Sequence, residues 1–272
     1  QKADSIKDVP FKLRRKAECK NLSEFGKLAS PEDIEIKGSE QKTSVSTTLG
    51  KMDVRIDRGA AKYFAQLPTK ALIDAAQAVN RGLSKGGFPR DLRSSDFPWK
   101  VVFIDKNLPE TQIPLNLISN CNPAWMTPPG NIYVIAQRVA GECNGQGRVG
   151  PKRFTDTQLA ETLVHEMAHA IEHHLLKGKN PGSEEEMRKR AEGFATWFTG
   201  FASGYSAVIE DKVVSQKYNA EAAREIAQNS KDFKFEGTSG DYARASMYFK
   251  AIQNRKGPAG ILAAYDLMAN KG

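Results

Sequence analysis

From Met52 onward the apolar and polar positions fall into runs with distinct periods. Val54 and Ile56 alternate with charged residues, the period of a half-buried strand. Leu72, Ile73, Ala76, Val79 and Leu83 recur at helical spacing and predict a helix over 69–84, ended by Lys85-Gly86-Gly87. Residues 99–104 and 130–139 are rich in β-branched and aromatic residues and predict two more strands. The Pro/Asn-rich segment between them, 120–129, predicts a loop. After the glycine-rich stretch 141–150 the pattern becomes helical. One helix opens at Thr155, with Gln158 placed for a capping box, and closes at Lys177-Gly178. A second opens at Ser183, with Glu186 three residues on, and runs to Phe201. Further helices are expected over 219–228, 241–254 and 258–268. A strand-rich first half followed by a helical second half gives an α+β fold class.

Residues 1–50 carry little apolar mass beyond a short strand expected at 43–49. They read as an N-terminal extension wrapping a main domain at 51–272, with a pro-segment as the alternative. A chain of 272 residues buries enough surface to fold without a metal or disulfide. A metal site here would therefore serve chemistry rather than folding.

The net charge of +8, from 40 basic and 32 acidic residues, is spread along the chain. No concentrated basic face emerges, so no specific nucleic-acid partner is expected. The longest uncharged stretch, Thr111 to Gln137, is interrupted by prolines and polar residues and predicts no membrane span. Cys19, Cys121 and Cys143 form no Cys-x-x-Cys pair, which argues against a cysteine metal site. Cys121 and Cys143 flank a predicted strand and could pair in an oxidising compartment, with three free thiols as the equal alternative. Gln1 in place of Met fits either a signal peptide removed or an expression fragment; the expectation is a secreted or periplasmic protein.

The chemistry lies in His165-Glu166-Met167-Ala168-His169. On a helix, residues four apart are offset by only about 40°, so both imidazoles can reach one ion. Glu166 sits one step away, which suits a base acting on water rather than a third ligand. Leu159, Leu163, Met167, Ile171 and Leu175 give this helix the apolar stripe of a core-packed element. The competing view is two solvated histidines satisfied by Glu161 and Glu172. The chain has four histidines, and His173 and His174 are expected to cap or cover the helix end. The third ligand is then a carboxylate from the second helix. Glu192 stands at the margin of its core stripe beside small residues, and is preferred over Glu184, Glu185 and Glu186 in the first turn. The ion implied by two His and one Glu is Zn2+.

His165-Glu166-x-x-His169 followed by Glu192 resembles the gluzincin clan of zinc metallopeptidases. The resemblance extends over 130–268. It implies a zincin-like fold, with Glu192 as third ligand and Gly130-Asn131-Ile132-Tyr133-Val134 as the strand bordering the cleft. Tyr242-Ala243-Arg244 is similar to the catalytic-tyrosine segment of aminopeptidase-like members. The chain departs from thermolysin-like enzymes in having no later histidine to stabilise an oxyanion. Tyr242 is the first choice for that role, before Arg244, Tyr205 and Tyr248.

The expected function is a zinc-dependent hydrolase, a metalloprotease acting on a peptide or protein substrate, with Glu166 as general base. Strand 131–139 is expected to pair with the extended substrate by strand addition. The alternatives are a zinc hydrolase of a non-peptide amide in the cell envelope and a non-catalytic zinc-binding interaction protein.

Overall fold

The computed structural model describes residues 41–64, 66–94, 96–105, 122–141, 153–204, 233–236 and 239–271. Expectations for Cys19, Cys121, Cys143, Tyr205, the helix at 219–228 and the extension before residue 41 lie outside these residues.

The fold is mixed α+β, a five-stranded sheet with helices. Strands β1 (Gln41–Thr47) and β2 (Gly50–Ile56) form an antiparallel hairpin in which Gln41 faces Ile56. Gly50 adopts φ 91°, a conformation that glycine takes without a Cβ clash, and Thr47 Oγ1 donates to its carbonyl at 2.8 Å. From Gln41 onward, the N-terminal segment is therefore part of the sheet. Strand β3 (Lys100–Ile104) runs parallel to β2, and β5 (Asn131–Ile135) parallel to β3. Strand β4 (Ala124–Thr127) is antiparallel to β5, giving the order β1-β2-β3-β5-β4.

Two expectations are corrected here. The segment 120–129 is not all loop, because β4 lies within it; Trp125 stands opposite Tyr133 and stacks on it with ring centroids 4.9 Å apart. The strand expected over 130–139 ends at Ile135, and Ala136–Val139 forms a helical turn, α3. There the Gln137 amide donates to Asp105 at the end of β3, a buried bond that holds the chain as it leaves the sheet.

The helices are α1 (Arg58–Ala61), capped by the Asp57 side chain on Gly59 N–H, then α2 (Thr69–Gly86), α4 (Asp156–Leu175), α5 (Glu184–Ser203) and α6 (Ser239–Lys271). Both expected capping boxes form: Thr155 with Gln158 opens α4, and Ser183 with Glu186 opens α5. Helix α6 breaks at Gly257 (φ 67°), directly before Pro258, whose ring cannot supply an N–H to the preceding turn. No described helix is long and apolar enough to cross a membrane.

One face of the sheet, through Val54, Ile56, Val101, Phe103, Ile132 and Val134, packs into a core shared with α2, α4 and α5. Leu159, Leu163, Met167 and Ile171 of α4 are buried there, as their spacing predicts. Phe194 and Phe198 of α5 complete it. Burying one such side chain stabilises by roughly 1.5–3 kcal/mol, so this contact fixes the motif-bearing helix against the sheet.

Candidate metal centre

Helices α4 and α5 are joined by a short connection and meet along their lengths, residues late in α4 against residues early in α5. This antiparallel hairpin brings one carboxylate of α5 to the two imidazoles of α4. Glu192 Oε2 lies 3.3 Å from His165 Nε2 and 3.6 Å from His169 Nε2. The two imidazole rings stand nearly perpendicular, centroids 4.9 Å apart. Among the described residues, His165, His169 and Glu192 are the group of three whose ligand atoms all lie within 4.8 Å of one another.

This donor set fits zinc. Bonds of about 2.0–2.2 Å in a tetrahedral arrangement separate adjacent ligand atoms by roughly 3.3–3.6 Å. The two His–Glu separations fall in that range. The three side chains are each partly exposed, so the cluster is in reach of solvent.

Glu166 is buried beside the cluster, and burial pushes its carboxyl pKa upward, with Glu192 adding to the rise and both histidines opposing it. The direction suits a general base, which works best nearer neutrality. Tyr242 is brought to the site: its ring centroid lies 6.3 Å from that of His165, and Phe235 packs edge-on against its other side. The small residue that permits this is Gly193, where a Cβ would come within 2.7 Å of the Ala245 carbonyl oxygen. Helix α6 thus approaches α5 closely, and Tyr242, one turn before Ala245, lies over His165.

The other candidates fall elsewhere. Arg244 pairs with Asp241 at 3.8 Å and lies beside the Phe233 ring. Tyr248 is half exposed and packs on Phe249. Glu185 pairs with Lys189, and Glu186 accepts from Ser183 in the capping box. His174 reaches Asp91 at 2.8 Å, and the His173 carbonyl accepts from Gly178 N–H as the helix closes. Glu172 does not satisfy the histidines; it binds Arg190 and Tyr265. The strand-addition expectation for 131–139 is overturned: β5 is paired on both sides, to β3 and β4, and all five of its residues are buried.

The chain matches no protein-family model, no curated protein and no solved structure.

Two charge shifts arise within the trio itself. The His169 imidazole is pushed up to about 9: burial opposes its charge, but the hydrogen-bonded Glu192 carboxylate, with Glu166 and Glu172, outweighs burial. The Glu192 carboxyl is held well below its ordinary range, because its bonds to His165 and His169 outweigh its own burial. A raised imidazole pKa contributes stability that is complete below its ordinary value of 6.5 and is lost as pH rises through about 9. The depressed carboxyl contributes above its ordinary value of 4.5 and loses its contribution as pH falls. Metal-stripped protein is thus expected to lose stability between pH 6.5 and 9, read as a falling urea midpoint, while His169→Ala falls less across the same window. A parent profile no steeper than the variant's would show that the pair does not form.

Proposed function

We propose that the chain is a zinc-dependent hydrolase of the zincin-like type, and that it cleaves peptide bonds. The observation that supports a zinc hydrolase is the convergence of His165 Nε2, His169 Nε2 and Glu192 Oε2 beside the buried Glu166. Zinc, when bound, supplies a Lewis acid that acidifies water and polarises a carbonyl. Glu166 takes the proton from the attacking water and hands it to the leaving amine. Tyr242, whose ring lies 6.3 Å from that of His165, is the candidate donor to charge developing on the carbonyl oxygen. The intact base favours an enzyme over a zinc-binding interaction protein, since metal binding alone needs no Glu166.

The preference for peptides rests on the sheet. An extended substrate can add only at an end strand, and β4 is the end that lies against α4 among the described residues. Purified chain is expected to contain about one zinc per molecule by elemental analysis and to cleave members of a fluorogenic peptide library. A chelator should abolish the cleavage and added zinc restore it. Protein that carries no zinc and takes none up on titration would end this reading.

A further inference from the structure

Beside the candidate ligands lies a buried polar knot that the proposed chemistry does not use. Glu172 stands one turn past His169 on α4. Its Oε1 accepts from Arg190 Nε at 2.8 Å and from the Tyr265 hydroxyl at 3.0 Å. Arg190 Nη1 also donates to the Pro181 carbonyl, at 2.6 Å, in the connection between α4 and α5. Glu172 and Tyr265 are buried and Arg190 nearly so. Burial and the Glu172 carboxylate together hold the Tyr265 phenol far above its ordinary range, so it stays a donor.

Such a knot is a poor source of stability. Desolvating two charges costs several kcal/mol per ion, and apolar side chains of the same volume generally do as well. What it fixes is register. Arg190 and Glu192 leave α5 roughly 200° apart. Both end on α4, at Glu172 and at the two imidazoles. Grips on opposite flanks hold α5 against both sliding and rotation. Tyr265 ties the same carboxylate to the second half of α6.

We propose that Glu172, Arg190 and Tyr265 are positioning residues that set the register of α5 so that Glu192 meets His165 and His169. The proposal rests on the zinc reading above. Without the knot, α5 keeps its apolar packing but has lost the grip that brings the Glu192 carboxylate to within a tetrahedral edge of both imidazoles.

The test uses the full chain with zinc alone as the probe, reading Kd by competition with a chelator beside the thermal midpoint of metal-free protein. Arg190→Lys keeps the charge but cannot span both Glu172 and the Pro181 carbonyl. It is expected to weaken zinc binding about tenfold, the scale of a lost outer hydrogen bond. In a Glu192→Ala background the same change is expected to move Kd less than about twofold, because the group it positions is gone. The apolar variant Glu172→Met, Arg190→Leu, with Tyr265→Phe so that no buried hydroxyl is left unpaired, should keep the parent's metal-free midpoint while losing zinc affinity to the same degree. Should that variant not fold, the Arg190→Lys cycle alone decides. Equal loss in both backgrounds, or no loss in either, overturns the proposal. A parent chain that takes up no zinc overturns both this proposal and the zinc reading, so the parent titration separates the two failures.

Discussion

Glu166→Gln is expected to retain zinc and to lose nearly all turnover, about 10²–10⁴-fold. Glutamine has the volume of glutamate, so the buried position keeps its packing against the core. It cannot take a proton from water. Glu166 is outside the trio whose ligand atoms converge, so zinc content should not change. Metal analysis and initial rates on the same preparation check both halves. Activity surviving in a zinc-loaded variant would move the base to another group, and zinc loss would make Glu166 a ligand.

Glu192→Ala carries the second large effect, a weakening of zinc affinity well beyond tenfold. Even an outer partner of a ligand is worth 10–100-fold, and here a direct bond is removed. Ala would also leave the two imidazoles without the carboxylate that now holds them at 3.3 and 3.6 Å. Glu185→Ala and Glu186→Ala are the controls. Glu185 holds Lys189 and accepts from Phe235 N–H, and Glu186 closes the α5 capping box. Neither is among the convergent atoms, so zinc titration should give the parent value for both. Parent-like binding by Glu192→Ala would return the third ligand to the acidic first turn or to His173.

Much of this arrangement was legible in the residues. The capping boxes at Thr155 and Ser183 form because each satisfies two backbone donors locally, without reference to the rest of the fold. The stripe from Leu159 to Ile171 set the orientation of α4, and therefore which side His165 and His169 occupy. The small residues beside Glu192 include Gly193, where the backbone of α6 comes close.

What escaped is non-local. Strand β4 is four residues between proline-rich stretches, too short to show a period, and it exists because β5 offers it a partner. The unbroken burial of β5 marks a strand covered on both faces, at odds with the edge position expected for it. Arg190 follows three glutamates at helical spacing, yet it turns inward to Glu172. Tyr265 gave no signal at all, since its bond to Glu172 joins residues 93 positions apart.

The hairpin of α4 and α5 also bears on the unfolded chain. His165 and Glu192 lie 27 positions apart, and His169 falls between them. Closing a loop of that length in a disordered chain costs about 1 kcal/mol less than closing the 93-residue loop that the Tyr265 contact requires. An ion that binds these three side chains can therefore gather them before the sheet, with its parallel pairing of β2, β3 and β5, has assembled. Zinc would then bind the denatured ensemble as well as the folded one. Its contribution to folding stability would fall short of its affinity for the finished site by the strength of that early grip.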